Sequence, residues 1–457
     1  MRNNIIIDTD AYKITHHLQY VNGLTKLYSY GEPRSGGRFP TVSYIGLQMI
    51  VKDNFLTSVT SEMIDEAEEE SYLTFGTDKY FNRSTWERVK NLGYLPITIR
   101  TLPEGLEVPV SNSLFTLEST EPWFATALNS LESVMMHVWY PTTIGTNSLY
   151  ILRDIKPLVE KTGTLALLPF MVNDFGLRGA TSLESGGRAG VGHLLHFMGS
   201  DNMTSSRFIK DYYGFKGRAK SVWATEHSVA TSYGPGRGEF DYVNAQLDRA
   251  PDDAIISLVI DSYDSINFVK NVIGSEEIKN RIINRKGRIV LRPDSGDPKY
   301  MVLTILNLLE EIFGSYANEK GYKVINYNVG VIQGDGMKRE TILSLYKHII
   351  EYGWSTDNLV VGSGGGLLQE GFTRDTERFA IKASHGELNH IPFNIQKDPK
   401  TDPTKKSKTG ELKVVSYESS YRTIRKEEEG EDLMRVLLHN GDFYPDKFEN
   451  LLKRAAI

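Results

Sequence analysis

The chain has 457 residues, more than one hydrophobic core usually supports, so we expect two domains or one large barrel with an added layer. A composition of 40% hydrophobic and 24% charged residues is that of a folded globular protein and excludes a disordered or fibrous one. The formal net charge of −6 comes without a dense basic block, which argues against a nucleic-acid partner.

Two absences narrow the class of protein further. The chain contains no cysteine, so disulfides, thiolate zinc sites and cysteine nucleophiles are excluded. No stretch approaches the roughly 20 apolar residues that span a bilayer, and residues 1–10 hold too short an apolar run for a signal-peptide core. We therefore expect a cytoplasmic protein without a membrane partner.

The N-terminal third of the sequence predicts a sheet-containing domain. Strand-like runs occur at residues 27–30 and 95–101, and an acidic helix is predicted at residues 61–71. The C-terminal segment from residue 385 contains a Lys-rich loop at residues 397–408, two short strand candidates and an acidic run. We interpret most of this charge as a solvated surface.

From about residue 165 onward, short apolar runs alternate with helix-period segments, which predicts parallel strands joined by crossover helices. The predicted strands are residues 165–172, 254–260, 288–291, 329–332 and 358–361. Helical spacing is shown by Ile342, Leu345, Tyr346, Ile349 and Ile350. Asp, Arg or Gly follows every strand, as in an α/β barrel, which builds its site from the loops at the carboxyl ends of its strands. A Rossmann turn is absent because Leu367 occupies the place of its third glycine.

Carboxylates and glycine turns at successive strand ends suit a phosphorylated sugar as ligand. Carboxylates accept hydrogen bonds from ribose hydroxyls or hold magnesium, and glycine lets backbone N–H groups close around phosphate. Asp and Gly are also common turn residues, which explains any one of these loops equally well but five consecutive ones poorly. Arg178, Arg292 and Arg374 are candidate phosphate contacts, although each alone also suits a surface ion pair.

His227 lies among small residues at positions 224–228 and follows a glutamate, a setting that suits a nucleophile or a proton carrier. Most single histidines have neither role, so both interpretations stay open on the pattern alone. His16 and His17 lack the spaced partners of a metal site and are interpreted as structural.

Nine short segments, in their order along the chain, resemble the nicotinamide phosphoribosyltransferase family, type II phosphoribosyltransferases close to nicotinate phosphoribosyltransferase. The segments are residues 8–16 (DTDAYKITH), 28–30 (YSY), 44–48 (YIGLQ), 174–179 (DFGLRG), 224–228 (ATEHS), 261–264 (DSYD), 292–296 (RPDSG), 332–336 (IQGDG) and 362–369 (GSGGGLLQ). The resemblance covers nearly the whole chain. It implies an irregular TIM-like α/β barrel at residues 165–384, and an additional sheet-containing domain built from both chain ends, residues 1–164 completed by 385–457.

The resemblance implies transfer of the 5-phosphoribosyl group of phosphoribosyl pyrophosphate to nicotinamide, giving nicotinamide mononucleotide and pyrophosphate. It also implies a homodimer with shared active sites, in which the nicotinamide ring lies between Phe175 and Tyr12 of the partner subunit. Asp201 would accept a hydrogen bond from the carboxamide NH₂. A carboxylate at this position favours the amide because it repels the acid, nicotinate.

The resemblance also implies roles for further residues. Those implied around the ribose and phosphates are Arg178, Ser257, Asp261, Arg292, Asp294, Gly334, Asp335, Gly364 and Gly365. Further phosphate or pyrophosphate contacts are implied for Arg34, Arg374, Lys382 and Lys397. Magnesium, assigned to Asp261 and Asp294, would neutralise the leaving pyrophosphate, and nearby Asp side chains would favour positive charge on the ribose. ATP, as co-substrate, would transiently phosphorylate His227 and improve affinity and turnover.

The sequence departs from the family pattern at two places, and two alternative functions remain. Trp223 stands where the motif usually has proline, and one extra residue precedes Arg374, which leaves the placement of that arginine open. Nicotinate phosphoribosyltransferase shares the fold and mechanism, but Asp201 argues against it. A non-catalytic signalling or binding protein on the same scaffold is the second alternative. It would not need the joint presence of His227, Asp261, Arg292 and Asp294.

Overall fold

The computed structural model describes residues 3–401 and 406–456. It divides into two compact units, the first made of Met1–Thr146, Phe208–Phe215 and Phe372–Ile457, and the second of Asn147–Arg207 and Lys216–Gly371. Within the described part of the chain, no helix combines the length and apolar composition needed to cross a bilayer.

The first unit is organised around a seven-stranded antiparallel sheet. Its strands, in spatial order, are Ile391–Asn394, Ala380–Leu388, Leu24–Glu32, Phe115–Ser119, Ile97–Thr101, Arg435–His439 and Asp442–Phe443. The two N-terminal strand runs predicted from sequence lie within Leu24–Glu32 and Ile97–Thr101. N-terminal and C-terminal strands pair directly, which confirms the additional sheet domain built from both chain ends.

Helices and two short antiparallel strand pairs complete the first unit. Its α-helices are Leu47–Asn54, Ser61–Phe75, Arg83–Leu92, Glu132–Met136 and Phe448–Ala455, with 3₁₀ turns at Ala11–Leu18, Pro122–Leu131 and Arg374–Thr376. The paired short strands are Thr41–Ser43 with Glu107–Pro109, and Leu412–Tyr417 with Ser420–Arg425. The acidic helix predicted at residues 61–71 is Ser61–Phe75, which begins after the capping side chain of Thr60.

The second unit is organised around parallel strands. Their spatial order is Val172–Asp174, Leu359–Ser363, Val329–Gln333, Ile289–Arg292, Ile256–Val259 and Trp223–Ala224. A short segment at Gly199 and Ser200 forms two parallel bridges, from Ser200 to Asp174 on one edge strand of this sheet and from Gly199 to Lys220, which shortly precedes the other edge strand. The sheet therefore curls into an irregular α/β barrel, and the predicted fold class is confirmed.

Crossover helices connect these strands. The helices that begin in the second unit are Leu183–His196, Met203–Tyr213, His227–Thr231, Arg237–Arg249, Ser265–Asn267, Glu276–Ile283, Pro298–Phe313, Arg339–Glu351 and Gly365–Leu368, with one π-helical turn at Phe268–Ile273 and 3₁₀ turns at Leu165–Phe170, Leu177–Gly179 and Thr356–Asn358. A small antiparallel pair, Ser315–Ala317 with Lys323–Ile325, lies in the chain between the helix Pro298–Phe313 and the strand Val329–Gln333. The apolar positions at helical spacing are buried in Arg339–Glu351, as the periodicity predicts.

One predicted strand is wrong over most of its length. Residues 165–172 form the 3₁₀ helix Leu165–Phe170, and the strand begins only at Val172. Pro169 lies inside this run and has no backbone N–H, so it cannot donate a hydrogen bond to a neighbouring strand. The other four predicted strands lie where the sequence pattern puts them.

The division into units differs from the boundaries at residues 164 and 384 that the sequence suggests. The chain passes from the first unit to the second inside the helix Trp139–Thr162, after Thr146. Ser148 on that helix contacts His193 through a 3.0 Å hydrogen bond, which joins it to the second unit. The strand Ala380–Leu388 pairs with Leu24–Glu32, so the residues from Phe372 onward belong to the first unit.

Candidate active site

The parallel pairing brings the carboxyl ends of six strands to one edge of the second unit's sheet. Each of these ends is followed by a loop that contains residues predicted to bind substrate. The predicted site residues on these strands and in the loops after them are Phe175, Arg178, His227, Ser257, Asp261, Arg292, Asp294, Gly334, Asp335, Gly364 and Gly365, and Asp201 follows the short segment at Gly199 and Ser200. The fold of the second unit thus gathers twelve of the predicted site residues along one rim.

Phe175 follows the strand Val172–Asp174 directly, and its backbone N–H donates to the carbonyl of Ser363 at 2.9 Å. Its ring lies against the backbone of Gly362 so closely that a Cβ at that position would be 2.0 Å from the Phe175 Cε2 atom. Glycine at position 362 therefore makes room for the half-buried aromatic ring. An aromatic face of this kind suits stacking with a planar heterocycle.

Asp201 directly follows the short segment at Gly199 and Ser200, which forms bridges to Lys220 and Asp174. Its backbone N–H donates to the carbonyl of Asp174 at 3.0 Å, and its exposed carboxylate accepts a hydrogen bond from Ser221 Oγ at 2.5 Å. A carboxylate has acceptor capacity beyond this one bond. The side chain is therefore oriented and still able to accept from an amide NH₂.

Asp174 is fully buried between these two groups. Its Oδ1 atom accepts from the Gly176 N–H at 2.8 Å, and its Oδ2 atom accepts from Asn202 Nδ2 at 3.0 Å. Burial raises the pKa of Asp174 to about 6; the two hydrogen bonds lower it, and the nearby Asp201 charge raises it.

His227 begins the short helix after the strand Trp223–Ala224, and its Nε2 atom lies 3.0 Å from Asp261 Oδ1. The Asp261 side chain is 6% exposed, whereas the His227 side chain is 44% exposed. A buried carboxylate therefore orients an imidazole whose other face is open to solvent. This arrangement suits an activated nucleophile or a proton carrier.

Arg292 and Asp294 form the next part of the rim. The Arg292 Nη2 atom lies 3.5 Å from Asp294 Oδ2, and the Arg292 Nε is buried without a hydrogen-bond partner among the described residues. The guanidinium thus has donor capacity for an anion. A Cβ at Gly334 would lie 3.1 Å from Asp294 Oδ1, so glycine there leaves space beside this pair.

The remaining rim residues supply backbone and small side chains. Ser257 is buried on the strand Ile256–Val259, while Asp335 and Gly365 are exposed and Gly364 is half-buried. Gly364 precedes the short helix Gly365–Leu368, and nothing lies within 4 Å of a Cβ added at Gly365. Open backbone of this kind allows close approach of a phosphate.

Four predicted phosphate contacts, all basic, lie in the first unit. Burial lowers the pKa of Lys382, Glu132 raises it, and the positive charges of Arg34, Lys397 and Arg374 lower it further. Lys382 is on the strand Ala380–Leu388, opposite Tyr30. The structure thus brings Arg34, Lys382, Lys397 and Arg374 into one electrostatic cluster, which we call the basic cluster.

Two members of the basic cluster are held by contacts within the first unit. Arg34 Nε donates to the Arg378 carbonyl at 3.2 Å, and Arg374 Nη2 lies 2.9 Å from Asp375 Oδ1. The loop that follows Lys397 includes residues 402–405, which lie outside the described residues, so part of the predicted Lys-rich loop is not described.

Tyr12, the last predicted site residue, also lies in the first unit, on the 3₁₀ turn Ala11–Leu18. Its side chain is 59% exposed, and its ring is 5.2 Å from the ring of His16. The Tyr12 ring therefore lies largely open to solvent. The Nδ1–H of His17 donates to the Ile14 carbonyl at 2.9 Å, in keeping with a structural role.

The described residues contain no group of three or more His, Asp or Glu side chains that could hold a metal ion by themselves. Asp261 faces His227, and Asp294 faces Arg292, so each carboxylate already has a partner. Magnesium usually binds one or two carboxylates together with substrate phosphates and waters. The donor set fits magnesium in that form, with the substrate supplying oxygen ligands.

Sequence reasoning missed three residues that support the predicted ones. Asp174 and Asn202 hydrogen-bond to each other, and Ser221 orients Asp201. Asp174 lies in the family segment at residues 174–179, but no spacing rule links positions that lie 28 or 20 residues from their partners. Only the pairing of distant strands brings them together.

Comparisons with known proteins match this architecture. Residues 170–441 match the model of the nicotinate phosphoribosyltransferase (NAPRTase) family, and residues 4–99 match the nicotinamide phosphoribosyltransferase N-terminal domain. A nicotinamide phosphoribosyltransferase from Xanthomonas campestris pv. campestris (strain 8004) is 36% identical over 446 residues, 96% of this chain and 92% of the relative. One of that name from Acinetobacter baylyi (strain ATCC 33305 / BD413 / ADP1) is 29% identical over 479 residues, 96% of this chain and 94% of the relative.

Solved structures resemble the fold at lower sequence identity. Nicotinate-nucleotide pyrophosphorylase from Pyrococcus furiosus has a TM-score of 0.63 at 12% identity, covering 99% of this chain and 95% of its own. Human nicotinic acid phosphoribosyltransferase has a TM-score of 0.56 at 15% identity, covering 98% of this chain and 92% of its own. At these identities the likeness concerns the fold alone.

Proposed function

Because the chain belongs to the nicotinate phosphoribosyltransferase family, we propose that it transfers the 5-phosphoribosyl group of phosphoribosyl pyrophosphate to nicotinamide, as in NAD salvage. The products are nicotinamide mononucleotide and pyrophosphate. Family membership supports phosphoribosyl transfer. The choice of nicotinamide rests on one observation, the oriented carboxylate of Asp201 on the segment paired with the strand before Phe175.

The base would stack on Phe175 and present its carboxamide NH₂ to Asp201. Ser221 holds one carboxylate oxygen of Asp201 at 2.5 Å, so the direction of the acceptor is fixed before the base arrives. The carboxylate of nicotinate would face a like charge at this position, which disfavours it. The local chemistry therefore selects the amide over the acid.

In the reaction, the pyridine nitrogen forms a bond to the anomeric carbon of ribose as the bond from that carbon to pyrophosphate breaks. Positive charge develops on the ribose, and Asp261 and Asp294 lie on the same rim to stabilise it. Arg292 has donor capacity for the phosphate oxygens. The transfer itself needs no protein nucleophile, because the base attacks directly.

The leaving pyrophosphate carries several negative charges that must be neutralised. We assign further phosphate contacts to Arg178 and to the basic cluster, whose like charges already lower the pKa of Lys382. When bound between Asp261, Asp294 and substrate oxygens, magnesium would supply charge neutralisation of the leaving group. Ser257, Gly334, Asp335, Gly364 and Gly365 would surround the ribose and its phosphate.

ATP enters the proposal as a co-substrate. His227 is half-exposed and oriented by a buried carboxylate, which suits transient acceptance of a phosphoryl group. Hydrolysis of that phosphohistidine would improve affinity and turnover. We further propose a cytoplasmic homodimer in which Tyr12 of the partner subunit covers the ring opposite Phe175, in keeping with the exposure of Tyr12.

The experiment that tests this function is product analysis. The purified protein is incubated with phosphoribosyl pyrophosphate and magnesium, together with either nicotinamide or nicotinate, with and without ATP. We expect nicotinamide mononucleotide as the main product and an increase in its rate with ATP. Preferential formation of the nicotinate product would instead make this a nicotinate phosphoribosyltransferase, and no nucleotide product would support a binding protein on the same scaffold.

A further inference from the structure

The backbone of Asp174 joins the two segments that present Phe175 and Asp201. Its N–H donates to the Gly199 carbonyl at 3.1 Å, and its own carbonyl accepts from the Asp201 N–H at 3.0 Å. The residue therefore stands at the pairing of one barrel strand with the short closing segment.

The Asp174 side chain repeats this connection. Oδ1 accepts from the N–H of Gly176, on the Phe175 side, and Oδ2 accepts from Asn202 Nδ2, on the Asp201 side. Both oxygens are thus engaged, one on each segment. Because the side chain is fully buried, it cannot touch a ligand and can act only through its neighbours.

The amide of Asn202 is held in one orientation. Its Oδ1 atom accepts from the Ser205 N–H at 3.1 Å, and its Nδ2 atom also donates to the Gly186 carbonyl at 3.0 Å. A flipped amide would place its oxygen against the Gly186 carbonyl and its NH₂ against the Ser205 N–H. Asn202 therefore always presents a donor to Asp174.

We propose, on the basis of the proposed function, that Asp174 is a positioning residue that sets the separation of Phe175 and Asp201. Phe175 would contact the ring of nicotinamide and Asp201 its carboxamide, so their separation decides whether both contacts form on one molecule. The Asp174–Asn202 pair then determines selection of the amide without touching it.

The raised pKa of Asp174 supports a role for its carboxylate in the site rather than in the stability of the fold. Burial and the Asp201 charge raise the folded-state pKa of Asp174 to about 6 from 3.8. The folded state therefore binds a proton more tightly than the unfolded chain, and this group lowers stability progressively as pH rises from about 4 to 6. A buried charge that weakens the fold at neutral pH is more common where it serves a site.

The test is Asp174→Asn, measured at pH 8. An asparagine keeps an acceptor for Gly176 but turns its NH₂ toward the fixed Asn202 donor. We expect the KM for nicotinamide to rise about tenfold and the amide-to-acid preference to fall, with the KM for phosphoribosyl pyrophosphate within about twofold of the wild type. Asn202→Ala, which removes the donor instead, should change the same constants in the same direction.

A matched control separates positioning from general stability. Glu104 in the first unit is also a buried carboxylate, with a raised pKa and bonds from the Gln48 N–H and the Tyr213 hydroxyl. Glu104→Gln should leave the KM for nicotinamide unchanged.

The possible outcomes distinguish a failure of the proposed function from a failure of the inference about Asp174. A wild type that makes no nicotinamide mononucleotide contradicts the proposed function and this inference with it. If the wild type turns over and Asp174→Asn leaves the KM for nicotinamide unchanged, only the inference is overturned. Equal losses for both substrates, or the same loss in Glu104→Gln, would show that Asp174 merely stabilises the fold.

Discussion

The Nε2 atom of His227 lies 3.0 Å from Oδ1 of Asp261, with the carboxylate buried and the imidazole half-exposed. An acceptor at this distance places the imidazole proton on Nε2 and leaves the lone pair on Nδ1. Under the proposed function, Nδ1 is therefore the nitrogen that would accept the phosphoryl group.

We expect His227→Ala to abolish stimulation by ATP and the accompanying ATP hydrolysis while leaving some ATP-independent synthesis, since the base attacks ribose directly. Initial rates with and without ATP measure this, and phosphorus NMR of the trapped protein should show phosphate on Nδ1. His348, which lies 4.0 Å from Glu351 on a helix, gives the control His348→Ala. Full ATP stimulation in His227→Ala would contradict the proposed phosphorylation of His227.

Gly362→Ala should weaken nicotinamide binding, because its Cβ would lie 2.0 Å from the Phe175 Cε2 atom and displace the ring. We expect the KM for nicotinamide to rise about tenfold or more, with the fold retained as judged by thermal unfolding. At Gly179 the nearest atom to an added Cβ is 3.9 Å away, so Gly179→Ala is the matched control. A normal KM in Gly362→Ala would mean that the position of the Phe175 ring does not matter for the base.

Lys382→Gln tests the basic cluster. Removing one of its positive charges should raise the KM for phosphoribosyl pyrophosphate about fivefold to tenfold and reduce its dependence on salt, while the KM for nicotinamide changes little. Lys90→Gln removes a lysine that is paired with Glu87 on a surface helix and serves as the control. An unchanged KM for phosphoribosyl pyrophosphate at low salt would show that the basic cluster does not contribute to binding of this substrate.

The shared-site arrangement predicts complementation between two inactive variants. Tyr12→Ala and Asp294→Ala proteins should each be nearly inactive, yet a mixed dimer holds one doubly mutated site and one intact site. Random equal mixing makes about half of the dimers mixed, so roughly a quarter of all sites should recover after unfolding and co-refolding. Mixed dimers that form but show no more activity than the separate variants would contradict the sharing of Tyr12 between subunits.

Much of the barrel could be predicted from sequence because its strands are apolar runs that end in Asp, Arg or Gly. Ile289–Arg292 and Leu359–Ser363 follow this pattern. Trp223–Ala224 and the bridge segment at Gly199 are too short to leave any periodicity. The apolar composition of Leu165–Phe170 predicts a strand, but this segment is a 3₁₀ helix and contains Pro169, which cannot donate a backbone hydrogen bond to a neighbouring strand.

The candidate site, like the fold, could be predicted only in part from the sequence. The rim residues follow their strands directly, so chain position alone predicts that His227 and Asp294 share an edge. The closeness of Lys382 to Arg34 depends on the antiparallel pairing of strands more than 340 residues apart in sequence. The Asp174 and Asn202 contact depends on a side-chain orientation, which no residue pattern encodes.

The measurement that tests the central claim most directly is the amide-to-acid ratio of kcat/KM, determined with nicotinamide and nicotinate in competition, for the wild type and Asp201→Asn. We expect strong preference for nicotinamide in the wild type. We expect at least a tenfold smaller ratio in the variant, because both the acceptor for the carboxamide NH₂ and the charge that repels the acid change. An unchanged ratio in Asp201→Asn would contradict the assignment of substrate choice to this carboxylate.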